Sequence, residues 1–114
     1  MNIGSNLSAL NAFTTQMNVT ANNVANVNTE GFKSSNVTLV SGQGQTVKAN
    51  ITTNTSQGAL VPDNSGGAGF KEMSNVDIVK EMTQLTPTQN AYDANLKLIE
   101  VNTEMRGTLI NMVV

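Results

Sequence analysis

The chain has 114 residues, enough for one small domain with a modest core. A net charge of −2 and a charged fraction of 12% leave no basic patch of the kind that phosphate binding needs, so nucleic acid is not an expected partner. With no Cys and no His, disulfides, zinc sites of the usual ligand types and Cys- or His-based catalysis are excluded.

The opening "MNIGSNLSAL" carries no Lys or Arg and no apolar run long enough for a cleaved secretory signal. No apolar run in the chain exceeds three residues, so no membrane insertion is expected. Ile3, Leu7, Leu10, Met17, Ala21 and Val24 then recur at spacings of four and three, with Thr14 in the polar slot. That is a heptad seam by which one helix lies along another. Ser5 is the expected N-cap and Gly31 the expected stop, because glycine takes the left-handed conformation that often ends a helix.

Residues 34–73 read as a short β and loop insert. "NVTLV" and "TVKANITT" alternate apolar and polar residues around the turn "SGQG". "ALVP" supplies a possible third strand ending at Pro62, and "DNSGGAG" reads as a flexible joint. From "SNVDIVKEM" a second long helix is expected, capped by Ser74 or Asn75, with Asp77 in its first turn. Ile78, Met82, Leu85, Tyr92, Leu96 and Ile99 follow a heptad seam with Gln89 as its polar interruption; beyond Ile99 the stripe moves to Leu98, Val101, Met105, Leu109 and Met112. Pro87 falls inside this pattern, and a kink is preferred to a break because the heptad continues in register through it.

The predicted fold is therefore mainly α: two long terminal helices in a coiled-coil-like hairpin, around a small β-hairpin and loop insert. Residues 1–33 and 74–114 form one helical core. Its packing seam is Leu10, Met17, Val24, Met82, Leu85, Tyr92, Leu96 and Ile99. Phe13, Val19, Val27 and either Val76 or Val79 fall off that seam; either the insert or other copies of the chain would cover them. Asn22, Asn23, Asn26 and Asn28 cover one side of the first helix's end. There their amides can bond backbone or another Asn across a close contact, or simply cap a fraying end.

"SALNAFTTQMNVTANNVANVNTEGFK" closely resembles the N-terminal signature of bacterial flagellar rod and hook proteins. "MSNVDIVKEMTQLTPTQNAYDANLKLIEVNTEMRGTLINMV" resembles that family's C-terminal helix, and "TSQGAL" is similar to a segment of its rod and hook members. The resemblance implies an axial structural protein, unusually short. It would polymerise helically through its terminal helices with copies of itself and other rod and hook proteins. It would also be exported by the flagellar type III apparatus without a cleaved signal, and lie in the rod of the basal body in the periplasm. Asn22, Asn23, Asn26, Asn28, Gly31 and Phe32 are then its assembly motif. The small insert fits a proximal-rod-like or shortened member.

No enzyme is expected, and no cofactor or metal. Asp77 and Glu81, one turn apart, read as capping and surface residues rather than a cation pair. "GQG" and "GGAG" lack the setting of a phosphate loop. The alternative function is a discrete helical-hairpin module that forms a closed oligomer or captures a partner helix.

Overall fold

The N-terminal heptad segment forms helix α1, Ile3–Ala25, in a computed structural model that describes residues 3–67 and 69–114. Ser5 lies inside this helix instead of capping it. The helix also ends well before Gly31, because the asparagine run takes over its last carbonyls. The Asn26 side-chain amide donates to the Asn22 carbonyl at 2.9 Å, and its backbone N–H is shared between the Asn22 and Asn23 carbonyls at 3.2 Å. Single turns follow, closed by Val27 N–H to the Val24 carbonyl and Thr29 N–H to the Asn26 carbonyl. Gly31 does take a positive φ of 69°, but as the entry to the insert rather than as the helix cap.

The insert contains two separate antiparallel hairpins. Strand β1, Ser35–Ser41, pairs with β2, Val47–Thr53, in a register running from Ser35 opposite Thr53 to Ser41 opposite Val47. This hairpin folds back along α1, where the Ser8 hydroxyl accepts from Val47 N–H at 3.0 Å. Ser8, Asn11, Ala12 and Thr15 form the helix side of that contact against Val47, Lys48 and Ala49. Their small side chains let a strand approach closely. Strand β3, Leu60–Pro62, pairs with β4, Phe70–Glu72. The expected joint Asp63–Gly69 is the loop of this second hairpin, of which Ala68 lies outside the described residues; Asp63 starts it by accepting from Ser65 N–H at 3.0 Å.

Helix α2 runs without interruption over Ile78–Val113, through Pro87. Its N-cap is Asp77, which accepts from Val79 N–H at 3.1 Å and Lys80 N–H at 3.4 Å. Ser74, one of the expected caps, accepts from Val76 N–H just before the helix, and Asn75, the other, is engaged by tertiary bonds. The helices pack in opposite directions. Asn23, near the end of α1, meets Glu81 at the start of α2, while Phe13 and Gln16 share a groove with Thr83, Gln84, Pro87, Thr88 and Ala91. At ~1.5 Å per residue α1 runs out near Asn102, so about 17 Å of α2 extends past it. The described molecule is accordingly long and thin, 80 × 24 × 17 Å.

Candidate assembly junction and helix surface

Three stretches distant in sequence meet where α1 ends and α2 begins. Gly31 N–H donates to the Glu72 carbonyl at 3.0 Å, and Asn75 N–H to the Phe32 carbonyl at 3.2 Å. The Asn75 side chain joins all three segments: its carbonyl oxygen accepts from Ser34 N–H at 2.7 Å, and its amide donates to the carbonyls of Asn54 and Ser56 at 2.8 and 2.9 Å. Lys33 Nζ donates to the Ser56 carbonyl at 2.9 Å and forms an ion pair with Glu72, whose carboxylate also accepts from Gly58 N–H at 2.9 Å. Lys33 first, and then the Gly58 amide, hold the Glu72 carboxyl below the usual range. Gly58 is fixed by space: a Cβ there would lie 2.0 Å from the Met73 carbonyl oxygen. Lys33, Gly58, Glu72 and Asn75 were not marked by the sequence as site residues. The signal was indirect, since each belongs to or borders a family-like segment.

Asn23 is the one fully buried large side chain among the described residues. Its amide donates to the Ser35 carbonyl at 2.8 Å and to Glu81 Oε1 at 3.0 Å, and its oxygen accepts from Ser35 N–H at 3.0 Å. One side chain thus ties α1, β1 and α2 together. The asparagine row is therefore not one outward face: Asn22 and Asn28 are exposed, Asn26 is half-buried and bonded to Asn22, and Asn23 is internal. Gly31 is exposed and Phe32 half-buried. Glu81, expected on the surface, is only 3% exposed.

The packing seam is divided in a similar way. Leu10 is buried, and Met17, Val24, Leu85, Tyr92 and Ile99 are half-buried, but Met82 and Leu96 are 56% and 45% exposed. In their place the inner side of α2 carries Glu81, Thr88 and Asn102, all buried, and Asn95, half-buried. The buried set repeats every seven residues, one position before the predicted one. Of the off-seam residues, Phe13, Val19, Val27 and Val76 are half-buried, whereas Val79 is exposed. The outer side of α2 and its overhang expose Ile78, Val79, Met82, Leu96, Leu98, Met105, Leu109, Ile110, Met112 and Val113.

The profile described as "Flagella basal body rod protein" matches residues 3–33, and "Flagellar basal body rod FlgEFG protein C-terminal" matches residues 68–112. Together they cover α1, all of α2 but its last residue, and the two outer segments of the junction except Ser34. The chain belongs to the flagellar basal-body rod and hook family. It is 39% identical over 69 residues to the flagellar basal-body rod protein FlgG of Bacillus subtilis, covering 57% of this chain and 26% of that protein. It is 29% identical over 90 residues to the flagellar hook protein FlgE of Brucella suis, covering 79% of this chain and 21% of that one. The chain thus spans about a quarter or less of the relatives it matches. In this rod and hook family member, the N-terminal match stops at Lys33, the first charged residue of the junction, and the C-terminal match contains its partner Glu72. The middle segment, Asn54 to Gly58, lies outside both matches.

Proposed function

We propose that the chain is a structural subunit of the flagellar basal-body rod that polymerises helically through its terminal helices, with no enzymatic activity. The observation that carries this reading is the surface of α2. Ile78, Met82 and Leu96 face outward with the polar Gln89 among them, and the overhang exposes Met105, Leu109, Ile110, Met112 and Val113, while the buried apolar residues among those described are Ala9, Leu10 and Ala12. Exposed apolar surface on that scale marks an interaction site, and relatives named for the rod and the hook supply the assembly into which it fits. Copies of the chain and other rod or hook axial proteins are the partners. Export through the flagellar apparatus to a rod in the periplasm completes the reading. The seam and the asparagine motif serve it differently: Leu85, Tyr92 and Ile99 hold the subunit together, Met82 and Leu96 face neighbours, and the exposed Asn28 and the exposed amide of Asn22, whose oxygen accepts from Asn26, reach across a close helix contact.

The test is localisation. A tagged, motility-competent chain is expected in purified basal bodies, and deletion is expected to stop rod growth. A chain absent from basal bodies that assemble normally without it overturns the reading. In solution, scattering that grows steadily with concentration is expected; a fixed dimer or tetramer would instead fit a closed module.

A further inference from the structure

The inward side of α2 is the more polar of two sides that share a common edge. Leu85, Tyr92 and Ile99 belong to both heptad rows. The row facing α1 adds Glu81, Thr88, Asn95 and Asn102; the row facing outward adds Ile78, Met82, Gln89 and Leu96. Since successive residues lie about 100° apart around a helix, exchanging one row for the other needs a roll of only about 50° about the helix axis. The observed rotation buries a carboxylate and leaves buried polar atoms of Ser5, Asn6 and Asn102 without a hydrogen-bond partner. Both features oppose it. The alternative would bury Met82 and Leu96 instead. What favours the observed rotation is the buried Asn23–Glu81 hydrogen bond, made by an asparagine already fixed at both polar atoms to the Ser35 backbone. Beside it, among the described residues, only an exposed Lys80 Nζ to Asn36 Oδ1 bond at 3.1 Å joins this turn of α2 to β1.

We propose that this bond is a rotation lock on α2: it holds the polar row against α1 and so keeps Ile78, Met82 and Leu96 outside. Releasing it lets α2 roll and bury them. The locked rotation is the one that presents the apolar stripe to a neighbour; the rolled one satisfies that stripe within the subunit. The consequence for assembly rests on the function proposed above, whereas the lock is a property of the single chain.

The chain has no cysteine, so single introduced cysteines report the rotation without background. M82C, L96C and T88C are each labelled with a maleimide at a dilution where the chain sediments as a monomer. In the otherwise native chain T88C is expected to react at least about tenfold more slowly than M82C or L96C, given their burial. In an E81A background Asn23 keeps its bonds to Ser35 and only the tie to α2 is cut. There the order is expected to reverse, with helix content by circular dichroism preserved. E81Q, which keeps an acceptor oxygen for Asn23, is expected to retain the native order. The lock is overturned if E81A keeps the native order, or if the native chain already protects positions 82 and 96. It is equally overturned if E81A loses protection everywhere together with helix content, since the pair has then come apart instead of rolling. None of these outcomes depends on polymerisation, which the localisation experiment decides separately.

Discussion

Gly58 and Glu72 show how much of the junction rests on single atoms. A methyl group at position 58 would meet a backbone carbonyl, which cannot swing aside as a side chain can. Gly58→Ala is therefore expected to lower stability by about 1–3 kcal/mol, the range for overpacking, with a matching fall in the urea midpoint. At Gly31 a side chain would meet nothing beyond its chain neighbours within 4 Å, so only its positive φ resists substitution; Gly31→Ala is expected to cost about 1 kcal/mol. The junction also carries a pH dependence whose sign follows from Glu72. Its carboxyl is held below the usual range in the folded chain by Lys33 and the Gly58 amide. Its contribution is thus present above the ordinary carboxylate range and is lost as pH falls through that range and below. Glu72→Gln is expected to flatten the acid limb of a stability-against-pH curve; an unchanged limb would mean that other carboxylates set it. With the side chains of Lys33 and Glu72 about a third exposed, solvent screening keeps that contribution small.

Helix α2 shows which information is local and which is not. The repeat that places Leu85, Tyr92 and Ile99 half inside was legible in the sequence, as were both strands of the first hairpin and the turn between them. The side of α2 that completes the seam was not, because it depends on a bond between Asn23 and Glu81, 58 residues apart. Strand β4 was hidden for a different reason: "FKE" is three residues with no alternation to read, and only its pairing with Leu60–Pro62 makes it a strand. The need for glycine at position 58 likewise comes from Met73, which faces it across the base of the second hairpin. The caps were misassigned because Ser74, Asn75 and Asp77 are all competent, and tertiary bonds to Asn54 and Ser56 claim Asn75. These differences change what one substitution should do. Were Leu96 in a closed intramolecular seam, Leu96→Asp would bury an unpaired charge and cost several kcal/mol. At 45% exposure it is expected to change the stability of the isolated chain by about 1 kcal/mol or less, while sharply reducing self-association in sedimentation. A large loss of monomer stability would place Leu96 inside after all.

For the whole molecule, the question is what a chain with so little apolar interior can do alone. Buried side chains contribute about 1.5–3 kcal/mol for a residue such as Leu, while ordering the backbone costs about 1–2 kcal/mol per residue. Ala9, Leu10 and Ala12 cannot offset that cost; the half-buried seam and the hairpin–helix contact must supply most of what the isolated chain has. The overhanging end of α2 lacks even these, since every residue from 103 to 113 is exposed. Helices without a packed face are marginal in water. Amide exchange in a dilute monomeric sample is therefore expected to be graded. Protection should be greatest around Asn23, Ser35 and Glu81, where three elements share one buried side chain, and should fall along α2 to nothing past Asn102. Association couples to this gradient by mass action: if neighbours cover the outer stripe, each tenfold rise in concentration is expected to add about 1.4 kcal/mol per association step. The melting temperature would then climb with concentration, and protection would spread into residues 103–113. A melting temperature independent of concentration, with residues 103–113 already protected in the monomer, would mean that the overhang is held within the chain and needs no neighbour.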